Sequence, residues 1–179
     1  LPIVERSERP LHVLFAGSLS HEKDPLTAVD AVAALGDGAV LRMAGDGPLR
    51  GEIERRGGNV ELLGSVADMT PQLRWADVLL LTSRTEGLPG VVIEAAAAGV
   101  PAVASNVGGT AEAVIHEKSG YVIPPGDLDG FVGALEKLAA DEPQRLEMAR
   151  NARAFASERF SMSGSVEGYG RLLKEVAGR

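Results

Sequence analysis

Residues 11–25 read Leu-His-Val-Leu-Phe-Ala-Gly-Ser-Leu-Ser-His-Glu-Lys-Asp-Pro, and they give the clearest indication of the fold class. Its apolar run, Leu11–Ala16, predicts a buried β-strand that ends at Gly17. The pair Asp24-Pro25 predicts the start of a helix, with Asp24 as the N-cap and Pro25 as the first helical residue. A strand, a polar loop and a helix in this order are typical of one unit of a parallel α/β sheet.

The same alternation continues along most of the chain. Further strands are predicted at Ala39–Ala44, Val60–Leu63, Val78–Leu81, Pro101–Ala104 and Tyr121–Ile123. Helices are predicted along Leu26, Val29, Val32 and Leu35, after Pro48, at Val91–Ala98 and at Thr110–Ile115. Strands that are apolar throughout indicate a parallel sheet covered on both faces. We therefore predict an α/β fold: a Rossmann-like, doubly wound parallel sheet of about six strands.

A C-terminal helical extension is predicted beyond residue 126. Leu128, Phe131, Leu135 and Leu138 form one helical stripe, a second helix runs from Pro143 to about Ser157, and Ser161 is a candidate cap for a third. We expect residues 1–179 to form a single domain.

Composition excludes several classes of protein. The chain has 18 Lys and Arg against 25 Asp and Glu, a net charge of −7, which argues against nonspecific binding to nucleic acid or to an anionic membrane. It has no cysteine, and therefore no disulfide, thiolate metal site or cysteine nucleophile. No apolar run reaches the roughly 20 residues of a membrane span, and no secretion signal is recognisable. A cytoplasmic location is the resulting expectation.

Glycine and polar residues cluster after the predicted strands. The clusters are Gly17–Lys23, Gly45–Gly47, Gly64–Ser65, Ser83–Gly90 and Ser105–Gly109. Ligands of such sheets bind beyond the carboxyl ends of the strands. A tight turn would explain any one of these loops, but five loops at one edge predict a binding site.

Residues 86–94, Glu-Gly-Leu-Pro-Gly-Val-Val-Ile-Glu, carry the most informative chemistry. Pro89 suits the first turn of a helix, so Glu86 is expected in the preceding loop and Glu94 inside the helix. The amides of Gly87, Leu88 and Gly90 would then be unpaired amides of the first turn, beside the positive end of the helix dipole, where an anion such as phosphate binds well. The side chain of Glu94 leans back toward the same pocket and can accept two hydrogen bonds from a ribose diol. A solvated glutamate on an alanine-rich helix is the alternative.

Lys23 is the cation nearest to this predicted pocket. It precedes the Asp24-Pro25 helix start, where a flexible ammonium can meet a diphosphate. An exposed loop lysine without a ligand is the commoner role, and the convergence of the loops favours the functional one.

Several motifs of the sequence, including these residues, resemble those of a known family. The resemblance rests on Phe15–Asp24, Gly45-Asp-Gly-Pro48, Ala76-Asp-Val78, Ser83, Glu86 and Glu94 at Glu-x7-Glu spacing, Gly99-x-Pro101 and Gly108-Gly109. From about Leu11 to its end the chain resembles the donor-binding C-terminal domain of family 4 retaining glycosyltransferases, which have the GT-B fold. The Glu-x7-Glu element is the specific part, whereas Gly45-Asp-Gly alone is weak.

The resemblance implies a role for each matching residue. Glu86 would be the catalytic residue that approaches the transferred sugar, Glu94 would bind the ribose, and Lys23 would bind the diphosphate. The remaining donor-site positions would be Gly17, Ser18, Gly45, Gly64, Gly87, Leu88 and Gly90. The donor would be a nucleoside-diphosphate sugar, with no cofactor and no metal ion.

The chain departs from the family pattern in two ways. Many members have Arg where this sequence has Ser18, which brings no charge to the phosphates. The N-terminal acceptor-binding domain is missing, and the chain starts at Leu1 rather than Met, so we expect a fragment of a two-domain enzyme. The isolated fragment is expected to be inactive.

Several motifs compete with this interpretation. Asp127-Leu-Asp129 resembles a metal-binding Asp-x-Asp motif, but its position after Pro124-Pro-Gly126 predicts that Asp127 caps a helix. His12, His21 and His116 are too scattered to form a ligand set. Asp77 and Glu112 are interpreted as structural anchors.

Three other functions stay open at this stage. Gly45-x-Gly47-x3-Gly51 superficially matches the glycine fingerprint of an NAD(P)-binding module, although Gly64-Ser65 stands where that module needs an acidic residue. A noncatalytic nucleotide-binding or interaction domain and a sugar-nucleotide epimerase domain are the other two. The function predicted from the sequence is the donor-binding half of a retaining glycosyltransferase.

Overall fold

A computed structural model describes residues 9–160 of the chain. Its strands are β1 (Leu11–Ala16), β2 (Ala39–Ala44), β3 (Val60–Gly64), β4 (Val78–Leu81), β5 (Ala102–Ser105) and β6 (Gly120–Ile123). They form one parallel sheet in the order β3-β2-β1-β4-β5-β6. The predicted doubly wound sheet of six strands is thus confirmed, and its order reverses between β1 and β4, where such sheets bind ligands.

The helices are α1 (Pro25–Ala33), α2 (Arg50–Arg56), α3 (Thr70–Trp75), α4 (Gly90–Ala98), α5 (Thr110–Ala113), α6 (Leu128–Ala140) and α7 (Glu142–Arg159). Strand bounds agree with the sequence prediction to within a residue. Helix α5 is shorter than predicted, and Leu35 lies beyond the end of α1. The predicted helix after Ser161 lies outside the described residues.

Helix α3 was not predicted from the sequence. It has only six residues and a single buried side chain, Leu73, so it has no apolar stripe to detect. The signal that could have found it is Pro71 in its first turn.

The two faces of the sheet bury separate apolar cores. On one face Val13 and Phe15 of β1 pack with α1 and α6, whose stripe is buried at Phe131, Leu135 and Leu138. On the other face Leu14 of β1 packs with residues of β4, β5 and α4. Alternate residues of β1 thus point into opposite cores, as expected of a central strand in a sheet covered on both faces.

The C-terminal extension is tied to the sheet domain rather than separate from it. Ala152 and Ala156 of α7 pack on Ala96 of α4. At the start of α6, Asp127 Oδ1 accepts a hydrogen bond of 3.0 Å from Gly130 N, which confirms the predicted cap in place of an Asp-x-Asp metal motif. Within residues 9–160, no helix combines the length and apolar character needed to cross a bilayer.

Candidate functional site at the carboxyl edge of the sheet

The loops that follow β1, β2 and β3 are joined by backbone hydrogen bonds. Gly17 N donates to Ala44 O at 3.0 Å, and Gly45 N donates to Gly64 O at 2.8 Å. A Cβ on Gly45 would lie 1.8 Å from Gly17 O, so only glycine allows the first two loops to approach so closely. The structure therefore brings three of the predicted loops, with Gly17, Gly45 and Gly64, to one place.

The loops that follow β4 and β5 are joined in the same way. Gly109 N donates to Gly87 O at 2.7 Å. A Cβ on Gly108, whose φ is +52°, would lie 1.9 Å from Glu86 O. These contacts press the β5 loop against the segment that carries Glu86, Gly87 and Leu88.

Lys23 and Glu86 join the two groups of loops. Lys23 Nζ lies 2.8 Å from Glu86 Oε1, although the residues are 63 positions apart in the sequence. The same oxygen accepts a hydrogen bond of 2.6 Å from Ser83 Oγ. The Glu86 side chain is 10 % exposed and that of Lys23 is 23 % exposed, so water screens this ion pair only partly.

A second carboxylate lies near the same ammonium. Glu22 Oε1 is 3.8 Å from Lys23 Nζ, and the Glu22 side chain is mostly exposed. Lys23 is thus contacted by two acids, of which Glu86 is the closer and the better buried. The sequence predicted a functional lysine and glutamate in neighbouring loops, but it did not indicate that they pair or that Ser83 fixes the glutamate.

The start of α4 lies directly after this cluster. Helix α4 begins at Gly90 with Pro89 as its N-cap residue. Glu86 therefore precedes the helix and Glu94 lies within it, as predicted. Gly87 and Leu88 belong to the preceding loop, so the expectation that their amides form part of the first turn is corrected: Pro89, extended at φ −74° and ψ 100°, still precedes the helix.

The remaining predicted donor-site residues differ in their surroundings. Leu88 is 51 % exposed, and Ser18 is exposed with its hydroxyl 3.0 Å from Ser20 Oγ. The side chain of Glu94 is exposed on α4 and makes no hydrogen bond or ion pair with any residue in the range 9–160. The direct contacts of this edge thus involve Lys23, Ser83 and Glu86, whereas Glu94 stands apart from them.

Asp24 does not have the role that the sequence suggested. It precedes Pro25 at the start of α1 as predicted, but its backbone is left-handed, at φ 47°, and its carboxylate caps no helix amide. An N-cap side chain reaches back to the helix amides from an extended backbone, which this conformation does not provide. The carboxylate instead accepts a hydrogen bond of 3.1 Å from Arg84 Nε.

The glycines after β2 do not form a dinucleotide fingerprint. The third glycine of that motif is needed where a helix packs closely on a strand. A Cβ on Gly51 would meet nothing within 4 Å, whereas one on Gly47 would lie 2.6 Å from Leu19 O. Gly45 and Gly47 are therefore explained by close contact between loops. The glycine spacing thus no longer supports an NAD(P)-binding module.

Asp77 has the predicted role of an anchor, whereas Glu112 makes only an exposed ion pair among the described residues and its role stays a prediction. Asp77 accepts hydrogen bonds from Arg9 Nη2 at 2.7 Å and from His12 N at 2.9 Å. Glu112 lies 3.7 Å from Arg159 Nη2. Among the described residues no three His, Asp or Glu side chains come together as a metal site would require.

The fold is that of a Rossmann-like domain, and its candidate ligand site is built from loops at the carboxyl ends of parallel strands. The sequence model of the family described as glycosyl transferases group 1 matches residues 10–141. The chain belongs to this family.

Its relatives include proteins of polysaccharide and glycan synthesis. An exopolysaccharide phosphotransferase of Streptomyces coelicolor is 37 % identical over 147 residues, which are 78 % of this chain and 16 % of that protein. An N-acetyl-D-galactosaminyltransferase of Campylobacter jejuni, which acts on an undecaprenol-linked glycan, is 32 % identical over 92 % of this chain and 48 % of that protein. The chain spans half or less of the length of both relatives.

The fold also matches that of a protein solved with nucleotide. The Anabaena protein HepE in complex with UDP superposes with a TM-score of 0.85 at 26 % identity, over 93 % of this chain and 49 % of HepE. HepE has also been solved with UDP-glucose. The predicted GT-B donor-domain fold is confirmed by these matches.

Proposed function

We propose that this domain is the donor-binding half of a retaining glycosyltransferase that transfers a sugar from a nucleoside-diphosphate sugar to an acceptor. The observation that carries the proposal is the pairing of Lys23 with Glu86, at 2.8 Å, immediately before α4. A cation, a buried carboxylate and a helix N-terminus are thereby gathered at the edge where this fold binds ligands.

Lys23 is proposed to bind the diphosphate. A lysine ammonium is a mobile point charge on a flexible stem, so it can leave Glu86 for a phosphate oxygen without rearrangement of the backbone. The amides of Gly87, Leu88 and Gly90 would add donors beside the positive end of the α4 dipole. Pro89, within this run, has no N–H to contribute.

Glu86 is proposed to contact the transferred sugar and Glu94 the ribose. Ser83 Oγ and Lys23 Nζ both bond to Oε1 of Glu86, and no residue in the range 9–160 donates to Oε2. A carboxylate can accept about four hydrogen bonds, so Glu86 retains capacity for sugar hydroxyls. The exposed carboxylate of Glu94 is free to accept both hydroxyls of a ribose.

The proposed chemistry depends on charge stabilisation at the leaving group. As the bond between the sugar and the diphosphate breaks, negative charge grows on the phosphate oxygens, and fixed amides and Lys23 would stabilise it. Glu86 would support the positive charge that develops on the sugar. That this needs no cofactor and no metal ion, and that the protein acts in the cytoplasm, stay predictions from the sequence.

A calorimetric panel tests the donor site. The chain is titrated with UDP, GDP, ADP and their sugars, and with NAD and NADP as the competing class. We expect one nucleoside diphosphate to bind, and Lys23→Ala to weaken it. Binding of NAD or NADP alone, or the same affinity for Lys23→Ala as for the parent, would reject the assignment.

The acceptor site is proposed to lie on a second domain. Closure of two domains excludes water, orients the acceptor and completes the groups around the reacting carbon. We therefore expect residues 1–179 to bind nucleotide but to transfer no sugar. Sugar transfer by this chain alone, assayed by product formation from each donor that binds, would contradict the two-domain mechanism.

A further inference from the structure

The segment that carries Lys23 is held against the residues that follow β4 by three hydrogen-bond donors. The Thr82 hydroxyl donates to Asp24 O at 2.8 Å and shares the same hydrogen with Lys23 O, which lies 3.2 Å from Oγ1. Arg84 N donates to Glu22 O at 2.8 Å, and Arg84 Nε donates to Asp24 Oδ2 at 3.1 Å. The contacts involve three consecutive residues of one segment, 22–24, and Thr82 and Arg84 of the other, with Lys23 at the centre of its segment.

Asp24 holds an unfavourable backbone conformation at this attachment. It is one of two non-glycine residues with positive φ in the range 9–160, and it precedes a proline, where an extended backbone is usual. Such a conformation persists only where the surroundings over-determine it. Here the surroundings are Thr82, which binds the Asp24 carbonyl, and Arg84, which binds its carboxylate.

The side chains of Asp24 and Arg84 differ in burial. The Asp24 side chain is 9 % exposed, whereas that of Arg84 is 68 % exposed. Arg84 therefore reaches in from the surface to compensate a carboxylate that has lost most of its water. Without that cation, the Asp24 charge would be drawn toward solvent or toward the neighbouring Lys23.

We propose that Arg84, acting through Asp24, is a positioning residue that holds the Lys23 ammonium at the donor site. The link to ligand binding rests on the proposed function, whereas the ordering of residues 22–24 does not. The arrangement also keeps Asp24 from competing with Glu86 for Lys23. Arg84 itself is assigned no contact with the nucleotide.

The first arm of the test measures order without any ligand. Amide hydrogen exchange is compared for the parent, Arg84→Gln and Asp24→Asn, with Arg56→Gln as the matched control. Arg56 is also a surface arginine paired with an aspartate, Asp30, of another element. The amides of Lys23 and Asp24 both donate to Ser20 O, so their exchange reports directly on this segment. We expect it to rise about tenfold in the two test variants and to stay unchanged in the control.

The second arm measures binding of UDP and of uridine by calorimetry. If Arg84 orders the phosphate-binding lysine, Arg84→Gln should weaken UDP about fivefold, the effect of freeing one long side chain. Uridine, which has no phosphate, should change less than twofold. The double variant Arg84→Gln/Lys23→Ala should bind UDP no more weakly than Lys23→Ala alone, because the effect acts through Lys23.

Three outcomes would overturn the proposal. Unchanged exchange at Lys23 and Asp24 would show that Arg84 does not order the segment. Equal losses for UDP and uridine would indicate a general structural defect. Additive losses in the double variant would assign Arg84 a phosphate contact of its own. A parent that binds no nucleotide would reject the proposed function, and the exchange arm would still decide whether Arg84 holds Lys23.

Discussion

Two ion pairs of nearly equal burial lie at opposite ends of the sheet. At the carboxyl edge, Lys23 and Glu86 have side chains 23 % and 10 % exposed. At the amino end of β1, Arg9 and Asp77 are 22 % and 8 % exposed. Burial and charge therefore do not distinguish the two pairs, and the difference lies in how each carboxylate is occupied.

The carboxylate of Asp77 is occupied on both oxygens. Arg9 Nη2 lies 2.7 Å from Oδ1 and 2.8 Å from Oδ2, and His12 N donates to Oδ2 at 2.9 Å. The Asp77 amide donates in turn to His12 O at 2.8 Å. This pair joins the start of β1 to the start of β4 and is built as a structural anchor.

Within residues 9–160, the carboxylate of Glu86 has hydrogen-bond partners on one oxygen only. Lys23 and Ser83 both reach Oε1, and the partner is a lysine rather than the planar, pre-organised group of arginine. Such a pair can exchange its cation for a ligand at little structural cost. The comparison predicts that the first pair governs stability and the second governs binding.

The largest expected effect is on stability, from Asp77→Ala. It removes the acceptor of Arg9 and of the His12 amide, so we expect the free energy of unfolding to fall by about 2–3 kcal/mol. Urea denaturation measures the loss. The control is Glu54→Gln, which breaks an exposed pair with Arg50 and should change stability by about 0.5 kcal/mol or less. The UDP affinity of folded Asp77→Ala should match that of the parent. A weaker affinity would contradict the prediction that the Arg9–Asp77 pair affects stability and not binding.

The next effect is on binding, from Lys23→Ala. Removing a charge-assisted contact to phosphate should weaken UDP by about 2 kcal/mol, or roughly 30-fold. Calorimetry measures the change. The unfolding free energy should stay within about 1 kcal/mol of the parent, because the variant keeps the hydrogen bond from Ser83 Oγ to Glu86 and leaves no backbone amide without its acceptor. A large loss of stability with unchanged binding would make this pair a second anchor.

A smaller effect is expected from Glu94→Gln. The variant keeps the shape of the side chain but replaces a charged acceptor with a neutral amide, so nucleotide affinity should fall about tenfold. Because the side chain of Glu94 is exposed and makes no polar contact within residues 9–160, the free energy of unfolding should not change. Equal affinity for the variant and the parent, measured by calorimetry, would remove the ribose role of Glu94.

The smallest effect is expected from Ser18→Arg. This change adds a cation to the loop that follows β1, where Ser18 is exposed and bonded only to Ser20 among the described residues. UDP affinity at low salt should rise about threefold, while uridine affinity stays the same. If UDP binding does not respond, residue 18 does not face the phosphates.

Much of the fold could be predicted from the sequence because its signals are local. The strands are short, mainly apolar runs, and the helical stripe at Phe131, Leu135 and Leu138 is complete within one segment. Helix α3 was not predicted because it buries only one side chain, and a single buried position gives no helical periodicity in the sequence. The convergence of the loops followed from a general property of parallel sheets and needed no knowledge of the contacts between them.

In the candidate site, too, some features could be predicted from local sequence signals and others could not. From the sequence alone, Lys23, Glu86 and Glu94 could be predicted as candidates for the chemistry, since they stand at recognisable positions relative to strand ends and a helix start. Only the tertiary structure decided their partners. Lys23 meets Glu86 across 63 positions, and Asp24 turns from a predicted helix cap into the buried partner of Arg84, 60 positions away. The physical reason is that helix and strand signals are periodic along the chain, whereas an ion pair depends on the distance between two loops that only the packed sheet brings together.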